Sequence, residues 1–103
     1  MFKTAAILVF AFTLAACDAV NTMTEGMSHA RAVENELERS TGMKPSVGFN
    51  WHNGQLSSVT VQYPHIVQSQ GLYDLAKTVR ASVKHEFKQT PGNIVLAFSV
   101  GAD

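Results

Sequence analysis

One thiol, four imidazoles and a run of four cations are the side chains of this 103-residue chain whose types and spacing bear on chemistry. Cys17 is the sole cysteine, so no intrachain disulfide and no cysteine cluster for a metal can form. His29, His52, His65 and His85 do not fall into a His-x-x-x-His or His-Glu-x-x-His spacing, and His85-Glu86 alone carries no information. Zinc or copper held by side chains brought together in space stays open. No serine lies in Gly-x-Ser-x-Gly, no glycine-rich phosphate loop is present, and the aspartates are Asp18, Asp74 and Asp103. With no nucleophile placed beside a base, the sequence predicts neither an enzyme nor a cofactor, and it identifies no small-molecule substrate.

The cations are Lys77, Arg80, Lys84 and Lys88, at three- and four-residue steps that line them along one strip of a helix. Two readings stand. The strip is a solvated face or pairs with Glu34 and Glu38 of a neighbouring helix, each pair worth up to about 1 kcal/mol. Alternatively it is a surface for anionic lipid head groups or a partner, each residue adding about 1 kcal/mol at a lipid surface.

The position of Cys17 matters more than its count. Met1-Phe2-Lys3-Thr4 carries one positive charge, and an apolar run follows from Ala5 to Leu14. About ten residues is the length of a signal-peptide core, against the roughly 20 a spanning helix needs. Leu14-Ala15-Ala16-Cys17 closes the run and resembles the lipobox of bacterial lipoproteins. That resemblance implies that residues 1–16 are a signal peptide removed just before Cys17. It also implies a diacylglyceryl group on the Cys17 sulfur, often with an acylated amino group. Acyl chains contribute about 0.8 kcal/mol per buried methylene, so two or three long chains, palmitate for example, hold the protein on the extracytoplasmic side of the membrane. Asp18 resembles the retention signal that favours the inner membrane in enteric-type Gram-negative bacteria.

Removing Lys3 with the leader leaves seven basic against eight acidic side chains, which gives no charge argument for nucleic acid. Residues 17–26 read as a lipidated tether of mixed polarity, about nine residues of which extend roughly 30 Å. The domain, residues 27–103, is expected to sit close to the lipid.

Within it, Met27, Ala30, Val33 and Leu37 recur on one helical face, with Arg31, Glu34 and Glu38 along its flank, and Gly42 with Pro45 stops the helix. Val47, Phe49 and Trp51 alternate with polar residues up to Asn53-Gly54, a hairpin turn. A plain two-residue turn would send Val59 and Val61 to the face opposite Val47 and Phe49. A one-residue offset is therefore predicted, from a three-residue loop or from a bulge at Ser57-Ser58. Tyr63-Pro64 ends the return strand, and Ile66 and Val67 occupy a loop as either a lid on the core or a contact patch.

Leu72, Leu75, Ala76, Val79, Val83 and Phe87 share the apolar face of the second helix, ended by Thr90-Pro91-Gly92. Asn93 to Val100 is a nearly continuous apolar strand, which suits an interior place in the sheet. The expectation is an α+β fold, two helices on one face of a three-stranded sheet in the order α-β-β-α-β. The favoured strand order is 3-1-2. If the other sheet face is bare, Gly48, Asn50, Ser58, Thr60, Gln62, Val95, Ala97 and Ser99 line it.

This element order, the Asn-Gly hairpin and the spacing of Leu56, Val59 and Val61 resemble the BON family of bacterial envelope domains, often lipid-binding. A serine, Ser57 or Ser58, stands near the glycine usual in that family's second strand, and the end of the second helix departs too. The functional expectation is a non-catalytic envelope module that binds another protein or a second copy, with BON-like lipid binding through the strip as the alternative.

Overall fold

A computed structural model of the chain describes residues 24–102. The signal-peptide reading, Cys17 and Asp18 lie outside the described residues. The first helix, α1, spans 24–41, so helix begins inside the stretch read from sequence as tether. The remaining elements are β1 (Ser46–His52), β2 (Gln55–Tyr63), α2 (Leu72–Glu86) and β3 (Asn93–Phe98). The architecture is α+β, two helices packed on a three-stranded sheet in the order α-β-β-α-β. Among the described residues no helix is long and apolar enough to cross a membrane.

Helix α1 stops where its composition says it must. Gly42 takes φ +79°, and its amide donates to Glu38 O at 2.9 Å, while the Thr41 hydroxyl donates to Leu37 O at 2.6 Å. Its inward residues Ala30, Val33 and Leu37 are buried, but Met27, one turn earlier, is 49% exposed, because the residue of that turn that packs on the sheet is Gly26, buried against Phe49. Leu72 departs from expectation in the same way at the start of α2, at 67% exposed. Leu75, Val79, Val83 and Phe87 are buried as the helical period predicts.

The hairpin turns at Asn53-Gly54, both with positive φ, the combination of a type I′ turn. His52 pairs with Gln55 and Trp51 with Leu56, after which Asn50 pairs with Ser58. Ser57 is the extra residue of a bulge, and its hydroxyl donates to Asn50 O at 3.0 Å. The offset restores the period: Phe49 faces Val59, Val47 faces Val61, and all four turn toward the helices.

The strand order is β1-β2-β3, with β3 parallel to β2, which corrects the 3-1-2 order and the interior position expected for β3. The central strand is β2, where Leu56, Val59, Val61 and Tyr63 are all buried. An α-helical crossover that returns to the neighbouring strand keeps consecutive elements adjacent, and here it leaves β3 on an edge. The loop after β2 divides its two aliphatics: Val67 is buried as a lid and Ile66 is 56% exposed.

Tyr63 anchors the far end of the core. Its hydroxyl lies 3.5 Å from Thr41 Oγ1, and its ring stacks on Phe98 with centroids 6.0 Å apart. Burial pushes its phenol above the ordinary value of 10.0, and the bond to Thr41 offsets part of the rise.

Candidate functional site

The two edges of the sheet are treated differently by the chain. On β1 the amide of Val47 points away from β2 and donates to Glu34 Oε2 at 2.9 Å, so α1 covers the start of that edge. On β3 the amide of Ser99, next beyond the strand, donates to Tyr63 O at 3.1 Å. By alternation along the strand, the backbone groups of Ile94, Leu96 and Phe98 face the outer side. Among the described residues no side chain bonds to that side. Ile94, Leu96 and Phe98 are only half-buried although they pack against the core, and Val95 is 39% exposed on the opposite face.

That opposite face carries the residues the alternation assigns to it. Gly48, Thr60 and Val95 lie side by side across the three strands, as do Ser46, Gln62 and Ala97. Asn50 Nδ2 donates to Ser58 Oγ at 3.2 Å and Gln62 Nε2 to Ser99 Oγ at 3.1 Å, so its polar groups bond laterally. Both helices contribute their buried residues to the other face. A smooth polar sheet face beside an apolar free edge can receive an extended segment, whose backbone would bond to β3 while alternate side chains meet Val95 and Ala97.

The basic strip is exposed along its length. Lys77 Nζ sits 5.5 Å above the Tyr73 ring, and Lys88, just past the end of α2, lies 3.8 Å from Glu25 Oε2. The pairing with Glu34 and Glu38 expected from sequence is not formed. Glu34 turns to Val47, and the acid of α1 that meets α2 is Glu36, 3.3 Å from His85 Nδ1. Positions 34 and 36 are about 200° apart around a helix, so only one of them can face α2. Arg80 and Lys84 flank a shallow groove with Thr90, Pro91, Gly92, Asn93 and Ile94, and among the described residues no carboxylate lines it.

A cavity of about 240 Å³ opens at the hairpin end, lined by residues including His29, Trp51, Phe87 and Lys88. Trp51 packs against the core but is only half-buried at the rim, and among the described residues its Nε1 and His29 Nε2 are buried without a hydrogen-bond partner. Gln89 holds this end together: its Oε1 accepts from the Leu56 amide at 2.9 Å and its Nε2 donates to Gly54 O at 3.4 Å. Among the described residues, one group has the donors to hold a metal ion: Glu36, His85 and Glu86. Their separation in the sequence hid them, because no short motif links positions 49 residues apart.

No protein-family model, curated protein or solved structure matches the chain.

Proposed function

We propose that this chain is a small lipid-anchored protein of the bacterial envelope, and that its α+β domain is a non-catalytic module that binds another envelope protein by strand addition along β3. The single observation that supports this reading most is the placement of β3. A strand apolar on both faces is stable with neighbours on both sides, yet here it stands at the edge with Val95 39% exposed and no described side chain capping it. Cys17, acylated, supplies the anchor, and Asp18 favours the inner membrane. Six residues lie between Cys17 and Thr24, the first described residue of α1, a reach of about 25 Å at most over the seven steps, so the module works next to the lipid.

The test places a photo-crosslinking residue at Val95 of the full chain in cells, with a second at exposed Gln68 in the loop after β2. A discrete protein adduct from position 95, lost when Ala97 is changed to lysine on the same face, supports strand addition. An adduct that is a second copy of this chain makes the module self-associating. Equal labelling from both positions, or none from position 95, rejects the edge as the binding surface.

A second reading has its own observation. Among the described residues no carboxylate stands in the groove that Arg80 and Lys84 flank, and Lys88 contacts Glu25 at the end of α1 nearest the tether. These cations support BON-like binding of anionic lipid head groups, each adding about 1 kcal/mol near the surface. Lipid-free domain mixed with anionic vesicles separates the two. Binding that disappears when Lys77, Arg80 and Lys84 become glutamine supports the lipid surface, and binding that is unchanged assigns the strip to solvation.

A further inference from the structure

We infer that Glu36, His85 and Glu86 form a binding site for a divalent cation of the zinc type, bridging the two helices. Glu36 projects from α1, and His85 and Glu86 from the last turn of α2. Their ligand atoms all lie within 4.8 Å of one another.

The spacing fits a shared cation better than an ion pair. His85 Nδ1 is 3.3 Å from Glu36 Oε2 and 3.6 Å from Glu86 Oε1. A charge-assisted N–H···O bond closes to about 2.7–2.9 Å. A zinc ion holds nitrogen and carboxylate oxygen at about 2.0–2.2 Å, and tetrahedral geometry then sets neighbouring ligand atoms about 3.3–3.5 Å apart. The contact between His85 and Glu36 already has that length. The one between His85 and Glu86 is within a few tenths of an ångström of it, so the two carboxylates need only draw together.

Charge leads to the same place. Nδ1 carries at most one hydrogen and donates fully to one carboxylate, which leaves the other facing a like charge. A dication between the three satisfies both carboxylates and the ring nitrogen at once. One imidazole with two carboxylates is a nitrogen–oxygen donor set, which suits zinc, copper or nickel and lacks the all-oxygen shell of calcium or magnesium. The imidazole is 73% exposed and the carboxylates 30% and 20%, so an ion reaches the site from solvent and keeps water in its fourth position. Bound there, it ties α1 to α2 on the side away from β1. This inference does not depend on strand addition or on lipid binding.

The test is a calorimetric titration of Zn²⁺ into the protein extracted in detergent, treated with N-ethylmaleimide in every arm so that no unacylated Cys17 thiol competes. The expected result is one saturable equivalent, not displaced by excess Mg²⁺, with a rise in the unfolding midpoint on loading. Loss of a second-shell partner costs about 10–100-fold in metal affinity, so losing a ligand in His85→Asn or Glu36→Gln is expected to cost at least about 100-fold. Both residues are at the surface, and circular dichroism checks that each variant is folded. No saturable uptake by the parent, or variants that take up zinc as tightly as it does, overturns the site.

Discussion

The Glu34 carboxylate accepts the amide hydrogen of Val47 at 2.9 Å, tying the middle of α1 to the start of β1. It occupies a backbone donor that a foreign strand would otherwise use, and among the described residues no side chain does the same beside β3. A Glu34→Ala substitution leaves that part-buried amide unpaired and is expected to cost about 1–3 kcal/mol in urea unfolding, with Glu34→Gln, which keeps an acceptor oxygen, costing less. Equal stability of all three proteins would show that the contact contributes nothing.

Gly26 lies directly against Phe49. A Cβ at this position would stand 2.6 Å from two ring atoms, closer than carbon atoms pack. Gly26→Ala is expected to lower stability by about 1–3 kcal/mol through overpacking, despite the gain in helix propensity. Adding Phe49→Leu removes the obstructing ring atoms, so the double variant should lose less than the sum of the two single changes. Strict additivity would contradict the contact.

Ser82 lies on the buried face of α2, and its hydroxyl has no hydrogen-bond partner among the described residues. Removing the oxygen relieves an unmade bond and improves helix propensity, so Ser82→Ala should raise stability by about 0.5–2 kcal/mol. A fall in the urea midpoint would reveal a bond the hydroxyl does make.

Tyr63 makes stability fall at high pH. Its folded value is raised by burial above the unfolded 10.0, so the folded chain keeps the phenol proton after the unfolded chain has lost it. The contribution is complete below about pH 10 and is lost as pH climbs through the folded value. Tyr63→Phe should therefore flatten the alkaline limb of the stability curve while leaving the neutral region changed only by the weak 3.5 Å bond to Thr41. An alkaline limb as steep in the variant as in the parent assigns the loss to other groups.

Local signals in the chain were legible and non-local ones were not. Gly42 and Asn53-Gly54 mark backbone conformations that few other residues adopt, so they located a helix end and a turn. The clash between a two-residue turn and the alternation of Val59 and Val61 forced the bulge now seen at Ser57. By contrast, the apolar run of β3 reads the same at an edge as in the middle, and only the crossover decides its place. Which flank of α1 meets α2 was equally hidden. The flank with Glu34 and the flank with Glu36 look alike in sequence, and their assignment rests on how the helix is turned over Val47 and Phe49.

The lipid anchor at Cys17 is the claim on which compartment and role both rest, and intact-mass and N-terminal peptide mass spectrometry of the membrane-extracted protein tests it most directly. The predicted result is a chain that begins at Cys17 and carries a diacylglyceryl group on its sulfur. A chain that begins at Met1 with an unmodified thiol would contradict it.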